Sequence, residues 1–145
     1  MKNNKILWCL LLCTFLCSAQ QKVTWEDLGA VNYSEKYFSA YDSYFLYPHF
    51  EKSVKALEGK RITISGYFLN IAPDEKIYIL SKSPMASCFF CGMAGPETAI
   101  ELHFTFKPKF ATDELVTISG ILKLNADDVE HFNYILTDCK GAIVQ

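Results

Sequence analysis

The chain has 145 residues, 50% of them apolar and 14% aromatic, and that composition excludes disorder as its ground state. Its 14 Lys and Arg are balanced by 16 Asp and Glu, for a net charge of −2, which leaves no basic patch of the kind nucleic acid or an anionic membrane surface requires.

The N-terminus reads as an export signal. Lys2 and Lys5 precede an apolar run from Ile6 to Cys17, and Ser18-Ala19 offers a small-residue cleavage site. At twelve positions the run is shorter than the roughly 18 residues a membrane span needs, so no transmembrane anchor is expected after processing. Leu16 stands where lipoprotein processing wants a small residue, which sets acylation of Cys17 aside. Cleavage after residue 19 leaves 126 residues, one domain's worth, with 12 Lys and Arg against 16 Asp and Glu. The expected location is the periplasm or the extracellular space, where Cys88, Cys91 and Cys139 are the cysteines that remain.

Residues 20–58 read as a helical and aromatic segment. Thr24 and Asp27 form a capping box before a short turn from Trp25 to Leu28, stopped by Gly29. Tyr37, Tyr41, Tyr44 and Phe45 fall at helical spacing, Pro48 breaks anything longer, and Lys52 to Leu57 reads as a second brief helix. From residue 59 the period changes to two. Strands are expected from Lys60 through Phe68, from Lys76 to Ser81 after a Pro73-Asp74 turn, and from Thr98 to Phe104. Two more follow, one around Gly120 through Leu124 and one from Asn133 to Cys139, with a short edge at Ala142 to Val144. Gly66 and Gly120 interrupt two strands of similar build, as the bends of a small barrel demand. The expected fold is mostly β: an OB-like, five-stranded, partly open barrel over residues 59–145, with the N-terminal segment packed on it. A small β-sandwich is the alternative.

The loop Ser87-Cys88-Phe89-Phe90-Cys91-Gly92 is the most chemically loaded feature. Two thiols at this spacing, followed by a turn-forming glycine, form half of a tetrahedral metal site. Cys139, His103, His131 or another chain would have to complete it, Cys139 and His103 being the best candidates, and zinc or copper are the ions that sulfur-rich ligation favours. A structural disulfide within the loop is an equal reading. A thiol–disulfide oxidoreductase is a further one, although that chemistry normally sits at a helix N-terminus. Covalent haem is excluded because Gly92, not histidine, follows Cys91. His49, His103 and His131 are isolated along the chain, and Asp127, Asp128 and Glu130 read as a solvated turn. The aromatic segment reads as core, or as the contact surface of an interaction module for an envelope protein partner. No Ser-His-Asp set, carboxylate pair or phosphate loop is present, so the sequence names no catalytic residue and favours a binding role over an enzyme.

Gly59-Lys60, Gly66-Tyr67, Leu80-Ser81, the Cys88-Phe89-Phe90-Cys91-Gly92 loop, Gly95-Pro96-Glu97 and Leu122 to Asp128 together resemble a family of short secreted proteins of Bacteroidetes-type bacteria that has no established biochemical function. More distantly, the chain is similar to small bacterial envelope lipoproteins of unknown function with a Cys-containing, Pro-rich loop. It departs from these in its second cysteine and in lacking the proline run. The resemblance implies an exported β domain and carries no activity with it.

Overall fold

The computed structural model describes residues 20–72, 77–88, 92 and 94–144. The expected signal peptide, the Pro73-Asp74 turn and Cys91 lie outside the described residues. In chain order the elements are β1 (Gln21–Lys22), α1 (Trp25–Leu28), β2 (Val31–Phe38), β3 (Ser43–Phe50), α2 (Lys52–Lys55), β4 (Arg61–Ala72), β5 (Ile77–Ser81), β6 (Ala99–Phe104), β7 (Glu114–Leu124) and β8 (Tyr134–Ile143). No described helix is long and apolar enough to cross a membrane.

Five strands close a mixed barrel in the order β4-β5-β6-β8-β7, with β7 returning to pair with β4. All pairings in the ring are antiparallel except β6 with β8, which run parallel. Numbered along the barrel, the strands follow 1-2-3-5-4-1, an OB-like arrangement. It is closed rather than partly open, because β4 and β7 share a register from Arg61↔Ile121 to Phe68↔Glu114. Period-two patterning fixes that register, since a slip of one residue would turn Ile62, Ile64 and Phe68 out of the core.

Two glycines allow the tight curvature. A Cβ at Gly66 would lie 2.6 Å from the Ser81 carbonyl oxygen, and one at Gly120 would lie 2.9 Å from that of Thr137. Gly120 faces a bulge in β8, where the register shifts between Ser119 and Ile121 and Asp138 takes a φ of 50°. The expected strand to Cys139 and the separate edge at 142–144 are therefore one strand that bends at this bulge.

Different parts of the chain plug the barrel. No helix lies between β6 and β7; Phe110 from that connection packs instead against Phe68, with ring centroids 5.4 Å apart, and against Phe104. Elsewhere Leu28 of α1, Val54 of α2 and Leu57 join the core with Ile62, Leu122 and Tyr134. The capping box forms as its residues dictate, with Asp27 accepting from the Thr24 backbone N–H at 2.8 Å.

The helical spacing of Tyr37, Tyr41, Tyr44 and Phe45 is not realised, and this corrects the sequence expectation. Residues 31–38 and 43–50 pair antiparallel as a hairpin, turning at Asp42, which has a φ of 49°. Cross-strand contacts outweigh the coincidental period: Tyr37 sits opposite Tyr44 with rings 5.3 Å apart, and aromatic residues favour a pleated surface.

Candidate metal centre

β6 alternates as a barrel strand must. Ile100 and Leu102 point into the core, so Ala99, Glu101 and His103 share the outer face. The connection from β7 to β8 folds over that face, shaped by one side chain. Asn125 Nδ2 donates to the carbonyls of Asp128 (2.7 Å), His131 (3.2 Å) and Phe132 (3.2 Å), and Asn125 Oδ1 accepts from Asp128 N–H at 3.1 Å. This bracing sets His131 beside Glu101 and His103.

The three side chains meet at one point. Glu101 Oε1 lies 2.6 Å from His103 Nε2 and 2.9 Å from His131 Nδ1, and Oε2 accepts the Phe132 backbone N–H at 3.1 Å. One oxygen and two imidazole nitrogens lie within 4.8 Å of one another, the one such group of three or more metal-ligating side chains among the described residues. Glu101 is 8% exposed, whereas the His103 and His131 side chains are 48% and 46% exposed. Burial pushes the Glu101 carboxyl up, but hydrogen bonds from His103, the Phe132 backbone and His131 prevail and hold it below the ordinary carboxylate value.

These donors suit a borderline transition ion. Imidazole and carboxylate together match zinc or copper(II), with metal–ligand distances of about 2.0–2.2 Å for zinc. A tetrahedral ion at such distances separates its ligand atoms by about 3.3 Å. The observed carboxylate–imidazole spacings of 2.6 and 2.9 Å would open by about 0.7 and 0.4 Å to admit it. The Phe132 N–H already fixes the carboxylate in the way that outer-shell hydrogen bonds orient metal ligands.

The residues singled out from the sequence separate. His103 belongs to this group. Cys139 lies in the barrel interior, its thiol donating to the Leu136 carbonyl at 3.1 Å, and burial pushes that thiol up to about 12. It is therefore a protonated thiol at neutral pH. Cys88 is buried in a separate cluster with Leu69, Ile79 and Ala99, and its thiol donates to the Met85 carbonyl at 3.0 Å. Cys88, Cys139 and His103 do not form one ligand set; Cys91 lies outside the described residues. Sequence reasoning missed Glu101 and ranked His131 behind Cys139 and His103. Glu101 had a readable signal, since Glu-x-His on an expected strand puts both side chains on one face. His131 had none, because Asn125 bends the loop that delivers it.

The ligand group opens on a cleft of about 490 Å³ that Ile77, Phe106 and Lys107 also line. No family profile, curated protein or solved structure matches the chain.

Proposed function

We propose that this chain is an exported, non-enzymatic metal-binding domain, in which Glu101, His103 and His131 hold a divalent zinc or copper ion as part of metal handling in the cell envelope. The observation that carries this reading is the convergence of one buried carboxylate and two half-exposed imidazoles on a single point. Lone histidines are common on protein surfaces. A buried carboxylate shared by two imidazoles is far more selective. Export rests on the N-terminal charge and hydropathy pattern, and a binding role is favoured by the lack of any accompanying nucleophile or general base motif.

Metal analysis of untagged protein tests the reading against the cysteine loop. Uptake of about one equivalent of zinc is expected, lost in Glu101→Gln and His131→Ala and retained in Cys88→Ser. Loss in Cys88→Ser with retention in the other two would move the ion to the loop and overturn the assignment.

A further inference from the structure

We infer that the metal at Glu101, His103 and His131 is a receptor for a small organic anion with an apolar or aromatic body, such as an aryl carboxylate. This rests on the metal reading and goes beyond it to the ligand that the loaded site would take.

Three observations carry the inference. First, the described residues supply three ligand atoms, one fewer than a tetrahedral ion requires and three fewer than an octahedral one. Closed four-ligand sites are structural, whereas a three-ligand site keeps a position for an exogenous donor. Second, that position is accessible. Both imidazoles are about half exposed, and with Glu101 they form one side of the 490 Å³ cleft. Third, the cleft has a defined chemistry. A divalent ion with one carboxylate and two neutral imidazoles carries a net charge of +1. Lys107 adds another positive charge, and Glu101 is the one carboxylate among the described lining residues. An anion is the complementary donor.

Apart from Thr105, the rest of the cleft is lined by apolar and aromatic side chains. Ile77 is 37% exposed and Phe106 84% exposed, so both present apolar surface to the cleft. Ile77 precedes Tyr78, which pairs with Leu102, so its position is level with His103 on the neighbouring strand. Phe106 lies two residues beyond the end of β6. A carboxylate on the metal thus has an aliphatic and an aromatic surface in the same cleft for the body that bears it. Few polar groups placed in a mostly apolar concavity is the usual composition of a small-molecule site.

Cobalt(II) is the probe ion, because its visible spectrum responds to coordination. Purified protein loaded with cobalt is titrated with benzoate and, separately, with acetate. Benzoate is expected to change the spectrum and to bind about tenfold or more tightly than acetate, because its ring buries apolar area that acetate lacks. Phe106→Ala is expected to weaken benzoate about tenfold while leaving cobalt affinity unchanged, and Lys107→Ala to weaken both anions. An unchanged spectrum at saturating benzoate, equal affinity for the two anions, or an indifferent Phe106→Ala variant overturns the inference while the metal reading stands. Failure to take up cobalt overturns both.

Discussion

Glu101 occupies a position where a carboxylate is costly. Its neighbours on the outer face belong to a cluster of Leu69, Ile79, Cys88 and Ala99, with Phe132 packed against it. A charge in such a place persists only when it is paired and hydrogen-bonded. The two imidazoles and the Phe132 N–H supply that pairing and hold the Glu101 carboxyl below its ordinary value near 4.5. A carboxyl with a depressed folded-state value contributes stability that is complete above the unfolded value and is lost as pH falls through the folded one. In metal-free buffer, wild type is therefore expected to exceed Glu101→Gln in stability at pH 7, with the gap closing toward pH 3. Denaturant unfolding of both proteins across that range checks it, and a gap independent of pH would place the contribution elsewhere. The same residue shows how far a sequence can be read. The expected strand from Thr98 to Phe104 already put Glu101 and His103 on one face. The CxxC spacing was the more conspicuous feature only because both of its members lie in one short loop. A ligand set drawn from a strand and a distant turn leaves no such local mark.

At the scale of elements, the hairpin of β2 and β3 is the part whose energetics the sequence hid. Its tyrosines and phenylalanines repeat at intervals that fit a helix as well as a ribbon, and only pairing across Asp42 decides between them. Lys36 shows what the ribbon gains. Its ammonium lies 3.9 Å from the Tyr47 ring centroid and 5.1 Å from that of Phe38, and it pairs with Asp127 at 2.9 Å. The ion pair joins side chains 44% and 75% exposed, so solvent screening leaves it worth less than about 1 kcal/mol. The ring contacts add about 0.5–1 kcal/mol, and the lysine stem covers aromatic surface besides. Lys36→Ala is thus expected to cost about 1–1.5 kcal/mol and Asp127→Ala less than about 0.5 kcal/mol, measured as shifts in the urea midpoint. Equal losses would assign the energy to the ion pair. The barrel strands were far more legible, because alternating Ile, Leu and Val side chains state which face is buried. What their pattern does not state is length: β8 runs through its bulge to Ile143, and only its register with β7 makes it one strand.

The whole molecule is tied together by a bond that no local pattern reveals. Tyr134 is fully buried, and its hydroxyl donates to the carbonyl of Leu28 at 2.6 Å across 106 residues of chain. Leu28 itself is 0% exposed and lies in the same core as Ile62, Leu122 and Leu136. Read from the sequence, residues 20–58 and 59–145 looked like a segment laid against a finished barrel. Packing and hydrogen bonding make the two parts interdependent, because the barrel's core is incomplete without Leu28, Val54 and Leu57. If they form one unit, weakening the N-terminal segment must weaken the barrel equally. Leu28→Ala removes buried methyl groups and is expected to cost about 2–5 kcal/mol. Tyr134→Phe leaves a buried carbonyl without its partner and is expected to cost about 1–3 kcal/mol. In both variants Trp25, whose indole N–H donates to the Ser65 carbonyl at 2.8 Å, reports on the N-terminal segment by fluorescence, while far-ultraviolet circular dichroism reports on the strands. The two signals are expected to move together in a single transition at a lowered midpoint. A fluorescence transition that preceded the loss of strand signal would mean that the barrel stands alone and that α1 merely rests on it.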